Sequence, residues 1–361
     1  MVRFHETISR EQSLGIDGFG CDFDPKCFYY NVRVEPALRF RGDLVGPVHI
    51  TDFRLYIPSL VEAYQARGGV IRHGRVSPDN FAPVVEGHDL TVVATGGRDP
   101  LASLFPEVAG ESLGKAQRAL LVGLFDGVAV SDPPSISLTI APNRGGLFIA
   151  PMWTPGGVKT VILIGATLGG PWQELVQRDY RSNLESLTGP LLEFLRSVEA
   201  DSFTPIDDAK FALTRPVDIL QGGVELRVRR PWAEVTPGKY VVGLGDAVTT
   251  VDPLIGQGAN LTSNCAGALA EAIAADLAFD EIFVKEWERQ QWELAEPVVR
   301  WNNLALGDTP AQVVKLLISC ASNKPAADAF ARLYENGRQA WPSLVTPERV
   351  DRFIERAASN A

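Results

Sequence analysis

The stretch from Tyr240 to Asn260, YVVGLGDAVTTVDPLIGQGAN, is where residue types and spacing could do chemistry. An apolar run ends in Gly243-Leu244-Gly245-Asp246, which delivers a carboxylate to the carboxyl end of a strand, the edge at which open α/β sheets bind ligands. Placed there, Asp246 can accept hydrogen bonds from ribose or ribityl hydroxyls. Ten residues on, Gly256-Gln257-Gly258-Ala259-Asn260 opens a helix whose free N–H groups and positive dipole end would face an anion or a polarised ring. Gly256 and Gly258 keep that backbone approachable, Pro253 stiffens the loop between, and Val251 and Leu254 give it an apolar side. Each part alone has a plainer reading, an aspartate that caps a turn or a glycine pair that tightens a connection. The order strand, Gly-Asp, Pro, Gly-x-Gly-x-Asn within about twenty residues is much more specific than its parts.

The elements that must hold this stretch are readable on both sides of it. Downstream, Leu261, Cys265, Leu269, Ile273 and Leu277 recur every fourth residue and form one apolar helical stripe, with Ala266, Gly267, Ala268 and Ala272 between them to allow close packing on a sheet. Upstream, TDFRLYIPSLVEAYQARGG predicts a helix that stops at Gly68 and Gly69, and VIRH a short strand. The unbroken run Leu90 to Ala94 predicts a strand buried on both faces, as in a parallel sheet, and it ends in Thr95, Gly96 and Gly97, small residues that admit a ligand to the backbone. From about Arg118, RALLVGLFDGVAV, SISLTIAP, GGLFIAPMWT and VKTVILIGATLGG run or alternate apolar between Gly, Pro and Asn breaks, which predicts an antiparallel sheet inserted into the parallel one. The expected organisation is a discontinuous ligand-binding domain over 1–100 and 217–290, an inserted domain over 101–216, and a helical segment over 291–361 anchored by Trp301 and Trp341, with Trp287 and Trp292 just before it. The first fifty residues read as an irregular opening.

Composition excludes several classes. With 45% hydrophobic and 22% charged residues the chain has ordinary globular usage, and no run approaches the roughly 18 apolar residues of a membrane span. A net charge of −10 with dispersed basic residues argues against nucleic acid. Cys21, Cys27, Cys265 and Cys320 lack C-x-x-C spacing and the four histidines are scattered, so reduced thiols are expected and no metal site. The opening residues have no apolar h-region, and the expectation is a cytoplasmic protein.

With those residues in view, the chain resembles the oxygenase component of two-component styrene and indole monooxygenases, FAD-dependent epoxidases within the aromatic-hydroxylase flavoprotein fold. The matching stretches are RFRGDL, DFRLYIPSLVEAYQARGG, DLTVVATG, KAQRALLVGLF, VDILQGGV and VGLGDAVTTVDPLIGQGANLTS, almost end to end. The resemblance implies an α/β fold with an FAD-binding, Rossmann-like parallel sheet, an inserted antiparallel substrate-binding sheet and a helical tail. It implies that Gly245 and Asp246 bind the ribityl chain, that Gly256, Gln257, Gly258, Ala259 and Asn260 lie against the flavin, and that Val251, Pro253 and Leu254 border the place of oxygen transfer. It matches Thr95 and Gly96 to a strand end under the cofactor and Arg54 to an arginine on the FAD side, a position where a solvated helix charge would look the same. Reduced, diffusible FAD from a separate NADH-dependent flavin reductase would form a flavin hydroperoxide that attacks a small aromatic alkene or indole. No catalytic side chain is then required, and none with persuasive spacing is present. A homodimer is compatible with the resemblance.

The departure from the family is the G-x-G-x-x-G fingerprint, which occurs nowhere in the chain. The comparison sets Met1 just after a first βαβ unit of roughly 30 residues, as a late start site, a fragment or a natural truncation would. Unpaired strand edges, an uncovered apolar face, poor stability and weak FAD affinity are the expectations. The alternative function is a catalytically inactive homologue that keeps only an aromatic-ligand-binding domain. A flavin halogenase is disfavoured because PMWTPGG lacks the second tryptophan of W-x-W-x-I-P.

Overall fold

A computed structural model describes residues 1–16, 18–198, 200 and 204–359 of the chain. In order, the first elements are β1 (Val2–Arg3), α1 (His5–Ser13), β2 (Cys27–Val32), β3 (Leu38–Asp43), β4 (His49–Ile50), α2 (Phe53–Ala66), α3 (Pro78–Glu86) and β5 (Thr91–Val93). The middle comprises β6 (Arg118–Asp126), β7 (Ser135–Ala141), β8 (Gly145–Thr154), β9 (Gly157–Thr167), α4 (Gln173–Gln177), α5 (Thr188–Ser197), β10 (Ala212–Leu213) and β11 (Ile219–Gly222). There follow β12 (Trp232–Thr236), β13 (Lys239–Gly243), α6 (Gly258–Ala275), α7 (Glu281–Leu306), α8 (Ala311–Ser322), α9 (Lys324–Glu335), α10 (Ala340–Leu344) and α11 (Pro347–Ser359).

The large sheet runs in the order β10-β6-β9-β8-β7-β2-β3, with β11 also paired to β6. Its strands read as near-continuous apolar runs because both faces are covered. Leu147 and Ile149 of β8, with Ile162 and Ile164 of β9, point to a core shared with α4 and α5, whereas Phe148, Ala150, Val161 and Leu163 point to the core shared with α6, α7 and the C-terminal helices. The inserted sheet predicted from sequence is therefore present and antiparallel over β6–β9, but it also recruits β2 and β3 from the stretch that reads as irregular, and β2 joins parallel to β7, so the sheet as a whole is mixed. At its far edge Gly42 of β3 has no room for a side chain, because a Cβ there would overlap the Ala327 carbonyl of α9.

A second, three-stranded sheet has the order β12-β13-β5, and β13 runs parallel to β5 with Val241–Gly243 beside Thr91–Val93. The return to a parallel strand at KYVVG is as the sequence indicates. The other expectations here need correction. Val70–His73 forms no strand, and β5 is buried on one side only: Val93 is enclosed, but Val92 is 42% exposed. Its outer edge has no neighbouring strand among the described residues. The stripe on α6 holds for Leu261, Cys265 and Leu269, which are buried, weakens at half-buried Ile273, and fails at Leu277, which lies beyond the helix and is exposed.

Helix α2 stops before Gly68, whose φ of +84 provides the left-handed turn. No residue of this helix is buried, and Phe53, Ile57, Val61 and Tyr64 form an exposed apolar stripe. A contiguous face of this kind binds hydrophobic dyes. The chain should enhance the fluorescence of an anilinonaphthalene dye several-fold at neutral pH, and Ile57→Lys with Val61→Glu should remove most of that signal while leaving the thermal midpoint in place.

Candidate functional site

The two parallel strands end side by side. β5 runs out into Thr95-Gly96-Gly97, and β13 into a 3₁₀ turn over Gly245–Ala247 that starts from Gly245 at φ +63. The two ends are packed backbone to backbone: a Cβ on Gly97 would stand 2.8 Å from the Asp246 carbonyl oxygen. Arg229, itself buried, ties them together by donating to the Ala247 carbonyl at 3.0 Å and the Gly97 carbonyl at 3.3 Å. Burial pulls its pKa below the usual arginine range. Nothing in the spacing of Arg229 singles it out in the sequence.

Three groups at this edge are uncommitted. Among the described residues the Thr95 hydroxyl is enclosed without a hydrogen-bond partner, a Cβ on Gly96 would meet only open space, and the Asp246 side chain is exposed with no partner. Desolvation by the surrounding chain raises the pKa of the Asp246 carboxylate above the usual range. A carboxylate, a hydroxyl and bare backbone at the ends of two parallel strands suit a ligand chain bearing several hydroxyls.

From Val251 to Asn260 the chain crosses to the start of α6. Asp252 caps the 3₁₀ turn Pro253–Ile255 by accepting from the Leu254 amide at 2.9 Å. Its carboxylate is held by Arg118 of β6 at 3.3 Å, while its own amide donates to Asn302 of α7 at 2.7 Å. Arg118 donates in addition to the Ala305 carbonyl at 2.8 Å, so three elements meet at this one aspartate. Burial raises the pKa of Asp252, and Arg118 and the Leu254 amide only partly offset it. Pro253 is exposed, whereas Val251, Leu254 and Ile255 turn inward. Gly256 sits at φ +65, and α6 then begins at Gly258, with Gly258 and Ala259 half-buried.

Two of the predicted side chains are spoken for elsewhere. Gln257 donates to the Tyr334 carbonyl at 3.0 Å, towards the C-terminal helices. Asn260 accepts from the Phe4 amide and the Thr7 hydroxyl, both at 2.9 Å, and donates to the Gly256 carbonyl, so it fastens the start of the chain to this loop. What positions 256–260 offer a ligand is backbone.

Arg54 keeps 40% of its side chain exposed, and two carboxylates of the chain hold its guanidinium. It pairs with the Asp52 carboxylate beside it and donates to Asp218 at 2.7 Å, where Arg215 also binds at 2.9 Å, so it joins α2 to the strand that enters the large sheet. Burial works against the charge on Asp52, but the hydrogen bonds and charge of Arg54 outweigh it and hold the pKa below the usual carboxylate range. A depressed folded-state pKa contributes stability above the unfolded value of about 3.9 and loses it as pH falls through the folded value. Arg54→Gln should therefore cost about 2 kcal/mol at pH 7, a value between those of exposed and buried pairs. The gap from wild type should narrow in denaturant titrations as pH falls below about 3.9 and through the lower folded-state value.

Cys27, Cys265 and Cys320 are buried and Cys21 half-buried, all free, and no cluster able to hold a metal occurs among the described residues. Two small cavities of about 10 Å³ are lined in one case by Leu244, Thr249, Cys265 and Gln291, and in the other by Ser131, Ser135 and Thr204. Each has room for little more than one water molecule.

Comparison with known proteins gives this geometry a context. Residues 97–198 match the family described as the styrene monooxygenase A putative substrate binding domain. Styrene monooxygenase StyA of Pseudomonas fluorescens is 32% identical over 358 residues, which cover 98% of this chain and 86% of that protein. Among solved structures, PqsL of Pseudomonas aeruginosa, a probable FAD-dependent monooxygenase, superposes with a TM-score of 0.56 at 16% identity over 88% of each chain. The flavin-dependent brominase Bmp2 superposes with a TM-score of 0.60 at 14% identity over 99% of this chain and 91% of its own. At such identities these two show the fold alone, a flavoprotein α/β fold shared by monooxygenases and halogenases. The identity to StyA across nearly the whole chain, with the family's substrate-binding segment within it, shows that the chain belongs to the styrene monooxygenase family of flavin-dependent oxygenases.

Proposed function

We propose that the chain binds reduced FAD across the ends of β5 and β13 and transfers one oxygen atom to the double bond of a small aromatic alkene or an indole, giving an epoxide. The observation that carries this reading is the cluster of uncommitted groups there: the enclosed Thr95 hydroxyl, the open backbone at Gly96 and the unpaired Asp246 carboxylate. They fit a ribityl chain, with Asp246 accepting from its hydroxyls and Thr95 gaining the partner it lacks. The first turn of α6 presents unsatisfied amides and a positive dipole end, which suit the electron-rich reduced ring.

Bound reduced flavin supplies the chemistry: with dioxygen and an alkene it yields epoxide, oxidised flavin and water. The chain's own residues bind and shield. Asp246 and Thr95 hold the hydroxylated chain, Arg229 keeps the two strand ends in register, and Val251, Leu254 and Ile255 turn the loop's apolar side inward against water. Electrons come from a separate NADH-dependent flavin reductase, in a cytoplasmic setting where the four free thiols stay reduced.

A coupled assay with a flavin reductase, NADH, FAD and styrene or indole tests the reading. Styrene oxide, or indigo from indole, should form in step with NADH consumption. NADH consumption that ends entirely in hydrogen peroxide would count against it.

A further inference from the structure

We infer that two glycines facing each other on the large sheet, Gly146 and Gly165, set through Leu254 the size of aryl group that the chain accepts. This inference deepens the proposed function and rests on it. Gly146 of β8 and Gly165 of β9 are register partners, so one rung of the sheet carries no side chain on the face turned to the loop. Along the same rung lie Ile140 and Leu120, and two residues on along the two strands lie Phe148 and Leu163, all four packed in the core on that side. The result is a notch walled by four apolar side chains with backbone as its floor. Leu254 fills it. A Cβ on Gly146 would stand 3.2 Å from Leu254 Cδ1, and a Cβ on Gly165 would overlap that methyl group outright.

Leu254 lies between Pro253, exposed on the other side of the turn, and Gly256 with its left-handed backbone. The depth to which its side chain sinks thus fixes the height of the turn above the sheet. That height bounds the space left for an aromatic ring beside the turn, because Leu254 is what packs the turn onto the sheet. A smaller side chain at 254 opens space for a larger ring. A methyl group at 165 pushes the turn outward if Leu254 is kept, but refills the notch if Leu254 has become alanine.

The sign of the double variant is therefore the signature. In the flavin-free chain, Gly165→Ala should speed amide hydrogen exchange at 254–257 at least tenfold, and Gly165→Ala with Leu254→Ala should return it to within threefold of wild type. Equilibrium binding should show the affinity ratio of 2-vinylnaphthalene to styrene rising at least tenfold in Leu254→Ala, less in the milder Leu254→Val, and falling back in the double variant. An unchanged ratio in Leu254→Ala, a double variant that fails to reverse it, or unaltered exchange in Gly165→Ala would overturn the inference, as would binding of neither compound by wild type and Leu254→Ala alike. If reduced FAD binds but the ratio does not respond, this inference falls alone. If the ratio behaves as expected and reduced FAD does not bind, the proposed function falls and the size rule stands.

Discussion

Asp246→Ala should weaken binding of reduced FAD about 100-fold, the loss expected for one or two hydrogen bonds to a charged acceptor at about 1.5–3 kcal/mol each. The thermal midpoint should hardly move, because the carboxylate has no partner among the described residues and Ala fits the turn that follows Gly245. That separation of affinity from stability distinguishes a ligand-binding aspartate from a turn-capping one. Asp246→Asn keeps an acceptor but loses the charge and should fall between. The raised pKa of Asp246 adds a pH dependence. Hydroxyl binding is strongest to the carboxylate, so affinity should be highest above that raised pKa and decline as pH falls through it. Anaerobic titrations at several pH values measure both effects, and an affinity indifferent to the substitution would remove Asp246 from the site.

Arg118→Ala should destabilise the chain by about 3 kcal/mol, since removing one partner of a buried pair leaves the other charge unpaired. Here the charge left behind is Asp252, 4% exposed, and the Ala305 carbonyl loses a donor with it. Burial already raises the pKa of Asp252 in the wild type, and Arg118 is one of the groups restraining that rise. A carboxyl whose folded pKa exceeds its unfolded value costs stability above the folded pKa and none below the unfolded one. The penalty in Arg118→Ala should accordingly be largest at neutral pH and shrink on acidification, and Arg118→Ala with Asp252→Asn should recover part of it at pH 7. Equal destabilisation at pH 4 and pH 7 would show that lost packing, not the stranded carboxylate, dominates. The loop would also lose one of its ties to β6 and α7, so reduced FAD should bind more weakly in the single variant.

The site was legible where chemistry and periodicity coincide locally. The strand before Asp246, the small residues after β5 and the helix opening at Gly258 each carry a signal within a few residues, and the structure brings the first two side by side. The side-chain orientations at 257 and 260 were not legible, because the partners that claim them, Tyr334 and Phe4, lie 77 and 256 residues away. Arg54 illustrates the same limit, since Asp218 is 164 residues distant. In the fold, CFYYNV of β2 is rich in strand-forming aromatics yet reads as part of an irregular opening, and in β3 Arg39, Arg41 and Asp43 mask an alternation whose inward positions are Leu38, Phe40 and Gly42. The expected strand at Val70–His73 had β-branched residues but no strand to pair with. The double burial expected of β5 failed because an apolar run records what could be covered, and only one side of Val92 and Val93 is.

The central claim is that the ends of β5 and β13 and the loop leading into α6 hold reduced flavin. Its most direct test is an anaerobic equilibrium titration of the wild-type chain with reduced FAD, followed by admission of air while the flavin spectrum is recorded. The account predicts saturable binding at one site per chain, and reoxidation slower than that of free reduced FAD because the bound ring is shielded from water. No saturation, with reoxidation at the rate of free flavin, would contradict it.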